Sequence, residues 1–484
     1  MKRRFLVLAM LIAAAACGQG EETGPVLIAA IGEQPDLADP DRVPPDDNAA
    51  MLLQATAQGL VRLDPQGEIE AGLAARWTVL DEGRTYIFRI DDIEWPDGTA
   101  VTAGEVARRL RNATRAGSGN RLAPLLSDIE EINAVTPFVI ELVLRRPRTD
   151  LLRLLAQPEM AFWTTEGGVG PLAPLSDDRD GIDLVRYGTS ADPEVSAVRP
   201  LVELEYAPPA MAVALFELGR VDLVAGGGWT TLPYAEAIRP DAAQLQIDPV
   251  EGLFGLQVVE FDGFLAEPEN RRVLALAIDR QRLAAMLDRP EAEPRSLIIA
   301  PSAQGVGPYQ MPGWIEADMD RRRAFARTAI ASWEDANGEI PPLRIALPDE
   351  AGSRPIFAVI ATDWGAIGLD VERVPFDGDA DLRLVDRVAA TDRGTWYFNV
   401  FRCDANPACS EEYEAALDLF AENETPGVGV LATAKAARAL QDSMPFIPLL
   451  RPIRWWLVSS RLTGFETNAY ASHPLDQLIA ASGD

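Results

Sequence analysis

Residues 95–106 read Trp-Pro-Asp-Gly-Thr-Ala-Val-Thr-Ala-Gly-Glu-Val and carry the most specific pattern in the chain. Thr102 and Glu105 stand three positions apart, which is the spacing of a capping box at the start of a helix. Val106 and Leu110 then fall on one face of that helix. The stretch therefore predicts a helix that begins just after Thr102.

The segments on either side of this helix are rich in aromatic and β-branched residues, and they predict strands at Tyr86–Ile90 and Phe138–Leu144. Further along, Leu343–Leu347 predicts a strand, the apolar face that includes Phe357 and Trp364 predicts a helix, and residues 369–374 predict the next strand. Such a βαβ unit implies parallel strands with a right-handed crossover. Apolar residues at helical spacing predict two more helices, at Arg271–Leu287 and Arg321–Trp333. The chain is mixed α and β throughout.

Composition excludes several classes of function. The 484 residues carry 44 basic and 74 acidic side chains, a formal charge of -30, so a nucleic-acid partner is not expected. The single histidine, His473, rules out a metal site or a catalytic triad that needs two imidazoles. Lysine occurs only at Lys2 and Lys435, which leaves little room for covalent chemistry on lysine.

The N-terminus has the pattern of an export signal. Lys2, Arg3 and Arg4 precede the apolar run Phe5–Ala16, which ends at Cys17. The run is too short to span a bilayer, which takes about 20 apolar residues. We expect residues 1–16 to be a signal peptide, and residues 17–24 to be a lipidated Cys17 with a polar tether, because the segment resembles the bacterial lipobox. Cleavage by ordinary signal peptidase is the alternative.

Motifs of enzymes are missing from the sequence. Gly226-Gly227-Gly228 is followed by Trp229 and two threonines, not by the Gly-Lys-Ser/Thr of a phosphate-binding loop. Apart from Cys17, the cysteines are Cys403 and Cys409, which can close a small loop as a disulfide in an exported protein. Two cysteines do not make a zinc site, so no metal is expected. The chain is predicted not to be an enzyme, although a hydrolase that uses two of the many carboxylates stays open.

An ordered series of segments resembles the extracellular solute-binding proteins of ABC importers, in the oligopeptide, dipeptide and nickel class known as family 5. The series covers most of the chain and comprises Gln58–Asp64, Gly67–Ile69, Gly72–Trp77, Tyr86–Phe88, Trp95–Val106, Gly168–Pro171, Ala214–Asp222, Arg271–Arg282 and Pro445–Leu449. The chain has glutamate at Glu105 where the family usually has aspartate.

The resemblance implies an α/β fold of the periplasmic binding protein type, in which two lobes with mixed sheets flank a hinged cleft. We expect lobe I to comprise residues 25–255 plus 452–484, and lobe II to comprise residues 256–451. A ligand that binds the closed state more tightly then draws the lobes together.

The resemblance also implies where a ligand is held. Asp404 matches the aspartate that pairs with the α-ammonium group of peptides, and a charged acceptor is what a desolvated ammonium requires. The alternative is that Asp404 caps a turn ahead of Pro407. Trp229 is expected either to cover the ligand or to pack in the core. The remaining expected ligand contacts are Trp396, Asn399, Phe401 and Arg402.

The function implied by the family is capture of a short peptide, or a related small solute, and its delivery to an ABC permease and ATPase complex. The protein is expected to be a monomer without cofactor in the periplasm or cell envelope, held to the membrane only through Cys17. The alternative is a relative without transport function, acting as a sensor or periplasmic chaperone.

Overall fold

The computed structural model describes residues 24–164, 167–178, 181–188, 199–403, 409–423 and 425–480. The predicted signal peptide, Cys17 and Asp404 lie outside the described residues. None of the helices in these ranges is both long and apolar enough to span a lipid bilayer.

A mixed sheet organises the first part of the chain and also receives its end. The strand Val26–Ile31 pairs in parallel with both of its neighbours, whereas the outer pairs are antiparallel. In the described residues this sheet has seven strands, in the spatial order Leu172–Asp178, Gly181–Arg186, Val202–Ala207, Val26–Ile31, Leu223–Gly227, Arg454–Val458 and Leu245–Asp248.

A second mixed sheet contains the predicted βαβ unit. Leu343–Ala346 pairs in parallel with Val371–Val374, and the helix Ser353–Gly365 connects them, so the predicted strands, helix and parallel pairing are confirmed. Within the described ranges the sheet has five strands, in the spatial order Val371–Val374, Leu343–Ala346, Leu382–Val388, Gly252–Val258 and Phe446–Pro448.

A third sheet is antiparallel and packs against the helix Ala103–Thr114. Both strand predictions and the helix are confirmed. The Thr102 hydroxyl accepts from the Glu105 N–H at 3.3 Å, but the Glu105 carboxylate accepts from the Trp95 indole at 2.8 Å, so one half of the capping box is used. The four strands seen in the described chain run in the spatial order Ala74–Leu80, Thr85–Ile90, Val139–Leu144 and Ile129–Thr136.

Short hairpins and further helices complete the described fold. The hairpins pair Val61–Leu63 with Ile69–Ala71, Trp163–Thr164 with Gly167–Gly168, and Leu462–Thr463 with Ile479–Ala480. The other α-helices are Asp47–Thr56, Leu151–Leu155, Pro209–Glu217, Leu232–Ala237, Pro268–Ala277, Arg280–Leu287, Met319–Asn337, Gly394–Val400, Glu411–Glu422 and Pro426–Ser443. The 3₁₀ turns are Asp81–Gly83, Ala123–Leu126, Pro158–Met160, Gly263–Ala266, Gly313–Ile315 and Leu475–Gln477.

The helix predicted over Arg271–Leu287 is divided in two, ending at Ala277 and beginning again at Arg280. Ile278 has extended backbone angles, and Asp279 caps the second helix through the N–H of Arg282. The N–H of Asp279 in turn donates to the buried carboxylate of Asp363 at 2.8 Å. The break is therefore fixed by a residue far along the chain, which the local apolar spacing does not report.

The chain crosses between the two large sheets twice. It leaves Leu245–Asp248 for Gly252–Val258, and it returns from Phe446–Pro448 to Arg454–Val458. One buried apolar cluster contains side chains from both sheets, among them Val224, Trp455, Phe254 and Leu384. The predicted lobe boundary at 255/256 falls inside a strand of the five-stranded sheet, whereas the boundary at 451/452 falls in the second crossing. The division into lobes stays a prediction.

Gly170, in the motif Gly168–Pro171, shows why small residues are required there. A methyl group on Gly170 would lie 2.6 Å from the N of Ala57 and would overlap the carbonyl of Ala55, at the end of the helix Asp47–Thr56. We expect Gly170→Ala to lower the free energy of unfolding by about 1–3 kcal/mol, because overpacking forces the backbone to shift. Urea unfolding measures this. Gly104→Ala is the control, since nothing lies within 4 Å of a methyl group at that position; equal stability of the two variants would contradict the prediction.

Candidate solute-binding cleft

A cleft of about 920 Å³ opens between the seven-stranded and five-stranded sheets. Residues 31–36 and several residues of 45–54 form the wall that belongs to the first sheet. Residues 383–390, at the end of the strand Leu382–Val388, form the facing wall together with Trp396. Residues 157–159 close a third side. This volume lies at the upper end of the range of about 300–1,000 Å³ that is usual for small-ligand sites.

An ion pair joins the two sheets at the cleft wall. Arg454 begins a strand of the seven-stranded sheet, and its Nη1 lies 2.7 Å from Oδ1 of Asp386 in the five-stranded sheet. The Arg454 Nη2 also lies 3.4 Å from Oδ2 of Asp47, which is largely exposed at the start of a helix. Burial raises the pKa of Asp386, and the nearby Arg454 acts in the opposite direction. Gly228 approaches so closely that a methyl group there would lie 2.6 Å from Oδ2 of Asp386.

A second buried network holds the C-terminal segment against the cleft. Asp248 ends the strand Leu245–Asp248, and its side chain accepts from the Trp456 indole at 2.6 Å and from the Asn468 N–H at 2.8 Å. Nε2 of His473 lies 3.0 Å from the same carboxylate, and the His473 ring stacks on Phe465. Since the carboxylate only accepts, His473 donates through Nε2. His473, the single histidine, is 4 % exposed and is held by this network. Its role is therefore structural, although it also lines the cleft.

Three charged side chains in the cleft have few partners in the protein. The side chain of Arg387 forms no hydrogen bond or ion pair with any residue that the structure describes, although its guanidinium lies near the Trp396 ring. Its pKa is lowered by burial and by the repulsion of Arg121, whereas Glu159 acts in the opposite direction. Arg121 is exposed and donates only to the carbonyl of Pro45, at 3.4 Å, among the described residues. Burial raises the pKa of Glu159.

Among the side chains predicted to contact ligand, the cleft wall of the described structure includes Trp396. It is 2 % exposed, and the Arg387 guanidinium lies 5.5 Å from its ring centroid. Asn399 is close by, since its side-chain amide donates to the carbonyl of Arg121 at 3.1 Å. Asp404 lies outside the described residues, so its predicted contact with an ammonium group stays a prediction.

The structure places the other predicted contacts away from the cleft wall. Phe401 is buried and packs against Phe446 with ring centroids 6.0 Å apart. Arg402 pairs with Glu414 at 3.1 Å. Trp229 is fully buried, and its indole donates to the carbonyl of Arg451 at 2.7 Å. Of the two predicted roles of Trp229, covering the ligand or packing in the core, the described structure shows packing in the core. Its indole N–H already has an acceptor inside the protein.

Cys403 and Cys409 form a disulfide with Cα atoms 5.0 Å apart. They also make up, with Glu414, the only group of potential metal ligands found in the described part of the chain. Sulfur atoms that are joined to each other do not offer thiolates to a metal. The group therefore does not fit a metal ion.

Sequence reasoning missed the charged residues of the strand Leu382–Val388. Arg383, Asp386 and Arg387 interrupt an otherwise apolar strand and line the cleft. That interruption was the available signal, because charged residues are depleted in buried strands unless they are paired or functional. The partner of Asp386, Arg454, comes from a distant part of the chain, so the signal would not have assigned a role to Asp386.

The sequence profile of the bacterial extracellular solute-binding proteins, family 5 (middle part), matches residues 68–173. Those residues are similar to the middle part of family 5 proteins. They run from the hairpin strand Ile69–Ala71 through the four-stranded sheet to the start of the strand Leu172–Asp178. Over these residues the match agrees with the predicted family.

Curated relatives of the family 5 segment are similar over a limited length. The glutathione-binding protein GsiB of Escherichia coli K12 is 30 % identical over 123 residues, which are 24 % of this chain and 24 % of GsiB. The probable deoxycholate-binding periplasmic protein YgiS of the same organism is 30 % identical over 101 residues, which are 21 % of this chain and 19 % of YgiS. The matched segments thus span about a quarter or less of these relatives.

Solved structures match almost the whole chain. OppA of Haemophilus influenzae, solved in complex with the peptide RPPGFSPFR, has a TM-score of 0.80 at 15 % identity and covers 95 % of this chain and 99 % of its own. At this identity the likeness shows the fold, which is the two-lobed periplasmic binding protein fold, so the predicted fold class is confirmed. These named relatives and neighbours are binding proteins and not enzymes, in agreement with the prediction.

Proposed function

We propose that the chain is an exported, lipid-anchored protein that captures a short peptide, or a related small solute, in the cleft and delivers it to an ABC permease and ATPase complex. The observation that carries the proposal is the cleft of about 920 Å³ between two sheets, lined by charges of both signs that have few partners in the protein. A zwitterionic ligand supplies complementary charges. GsiB is named for a peptide ligand, and the OppA structure holds one.

Closure of the cleft completes the proposed cycle. The two crossings, at residues 249–251 and 449–453, are the segments about which a lobe of residues 25–255 plus 452–484 would turn relative to a lobe of residues 256–451. Short connections between large packed bodies are typical hinges. We expect ligand to reduce the radius of gyration in small-angle X-ray scattering, with the protein a monomer before and after.

Capture is tested on the full mature protein by native mass spectrometry of what co-purifies, followed by calorimetry with pools of di-, tri- and tetrapeptides. Binding of one pool in a 1:1 complex supports the proposal. If no pool binds and no small molecule co-purifies, capture of peptides is rejected.

The lipid anchor is tested by the variant Cys17→Ser. We expect this variant to lose its association with the membrane, which cell fractionation measures.

Asp404 is the proposed anchor for the ammonium group of the ligand. We expect Asp404→Asn to weaken peptide binding by about 2–5 kcal/mol, because truncating one partner of a buried charge pair leaves the other charge unpaired. Calorimetry measures the affinity, and a thermal melt confirms that the variant is folded. Asp418→Asn, an exposed aspartate on the helix Glu411–Glu422, is the control. The anchor role is rejected if both variants bind peptide like the wild type.

A further inference from the structure

Arg280 carries a buried positive charge that pairs with no carboxylate of the described structure. It is 4 % exposed, and its Nε and Nη1 atoms donate to the carbonyls of Pro448, Ala275 and Ile278. Its Nη2 atom is buried as well, but it has no acceptor among the described residues. Burial and the charge of Arg322 lower the pKa of Arg280 to about 9. The carbonyls satisfy hydrogen bonds but carry no net charge, so the buried cation still lacks a counter-ion.

Two further donors without acceptors lie close to Arg280. The guanidinium carbon of Arg280 lies 5.9 Å from the centroid of the Trp314 ring, and the buried indole Nε1 of Trp314 has no acceptor in the described chain. Arg322 is near enough for its charge to act on the pKa of Arg280, and its buried Nε has no acceptor in the described ranges either. Tryptophan and arginine side chains donate hydrogen bonds and do not accept them. We call Arg280, Trp314 and Arg322 the donor cluster.

The carboxylates around the donor cluster are already engaged. Asp363 is fully buried and pairs with Arg323 at 2.7 Å and with Arg282 at 3.0 Å. Asp279 and Asp318 each accept a backbone N–H at the start of a helix. In the described structure none of these three aspartates lies within 4.0 Å of a guanidinium nitrogen of the donor cluster. The negative charge that would complete the cluster therefore has to come from outside the chain.

A water molecule matches the donor cluster less well than an anion does. A buried water needs acceptors for its own two hydrogens, and the side chains of the cluster offer donors alone. An anion accepts all of these hydrogen bonds and also neutralises the guanidinium charge. Because the unpartnered donor atoms have almost no accessible surface, a macromolecular partner cannot reach them, whereas a small ion can.

We propose that the donor cluster binds a small inorganic anion between Arg280, Arg322 and the indole of Trp314. The site is separate from the solute cleft, because none of these side chains belongs to the cleft wall. The proposal thus goes beyond the proposed function and does not depend on it. The bound anion joins three elements of the fold, namely Arg280–Leu287, Gly313–Ile315 and Met319–Asn337.

Binding is tested on the full mature protein, with its ten tryptophans labelled with nitrogen-15, by two-dimensional NMR of the indole N–H groups. Chloride, sulfate and phosphate are titrated separately, with gluconate holding the ionic strength constant. We expect at least one of these anions to shift one indole resonance in a saturable way. That resonance should be missing in Trp314→Phe, which keeps an aromatic ring but removes the donor.

Matched arginine variants show whether the anion is held by the donor cluster. Arg322→Gln should weaken binding by about 10-fold or more, which corresponds to the loss of one charge-assisted hydrogen bond. Arg321→Gln is the control, because Arg321 is the preceding residue of the same helix and its side chain is 83 % exposed. This variant should bind the anion like the wild type.

Thermal unfolding gives a second readout. At constant ionic strength, a nearly saturating concentration of the anion should raise the melting temperature by roughly 1–3 °C in the wild type and in Arg321→Gln, because the anion binds only the folded state. The rise should be absent or much smaller in Arg322→Gln.

The outcomes are separable from those for solute capture. If none of the three anions shifts the Trp314 resonance, the cluster holds water and the proposal is rejected, while capture of peptides is unaffected. If Arg322→Gln and Arg321→Gln bind the anion equally well, the anion lies elsewhere on the protein and the assignment to the donor cluster is wrong.

Discussion

Replacing Asp248 by alanine is expected to lower the free energy of unfolding by about 3–6 kcal/mol. The Asp248 carboxylate is buried and receives three donors, from Trp456, Asn468 and His473. Each buried donor left without a partner costs about 1–3 kcal/mol. The loss should also release the segment around Asn468 and His473 from the strand Leu245–Asp248, because this carboxylate bonds to both of those residues.

Urea unfolding followed by tryptophan fluorescence measures this effect. Asp262→Ala is the matched control, since Asp262 is exposed and its side chain does not cap the 3₁₀ turn Gly263–Ala266. The loss of stability in Asp248→Asn should be intermediate. The amide keeps one acceptor oxygen, but its NH₂ group faces donors and cannot accept hydrogen bonds from them. Equal midpoints for Asp248→Ala and Asp262→Ala would show that the network contributes nothing to stability.

Replacing Arg454 by methionine is expected to cost about 3–5 kcal/mol of stability at neutral pH. Arg454 is 9 % exposed and Asp386 is 22 % exposed, so the variant leaves an unpaired carboxylate at the seam between the two sheets. Burial raises the pKa of Asp386, so its carboxyl group takes up a proton at a higher pH in the folded protein than in the unfolded chain. The destabilisation should therefore become smaller as the pH falls through that pKa, because the neutral acid does not need the arginine.

The measurement is urea unfolding of Arg454→Met at a series of pH values. Arg344→Met is the control, because Arg344 and Asp381 form a pair of similar distance, 2.6 Å, within one sheet and with more exposure of the arginine. That change should have a much smaller effect on stability, because exposed ion pairs contribute little. The double variant Arg454→Met with Asp386→Leu should recover stability relative to Arg454→Met alone. A cost that is the same at all pH values would contradict the assigned role of the Asp386 charge.

The elements predicted from the sequence are those in which local pattern and tertiary packing agree. The cap at Thr102 and the strands next to that helix are set by neighbours in the chain and were predicted correctly. The Glu105 half of the capping box is absent, because that carboxylate accepts from the Trp95 indole. The helix over Arg271–Leu287 was predicted as continuous, but the structure divides it because Asp363 binds the N–H of Asp279. A periodicity of apolar residues contains no information about such a distant acceptor.

The site was less predictable than the fold. Trp396 was predicted to contact the ligand, and it lines the cleft. For Trp229 the sequence left two roles open, covering the ligand or packing in the core. The structure buries Trp229, and its indole N–H donates to the carbonyl of Arg451. Arg454 was not predicted, since its partner Asp386 lies far away in the linear sequence and the packing of the two sheets brings them together. Arg387 was not predicted either, because its place at the cleft depends on the same packing. Resemblance to a family locates motifs, whereas the distribution of charge in a cleft depends on the packing of this chain.

The position of the strand Arg454–Val458 has a consequence for biosynthesis. This strand lies between Leu223–Gly227 and Leu245–Asp248 and, within the described residues, it is the only neighbour of the latter. This strand, which contains Trp455 and Trp456, is translated after all strands of the five-stranded sheet. A nascent chain therefore cannot complete this first sheet until every strand of the five-stranded sheet has been synthesised.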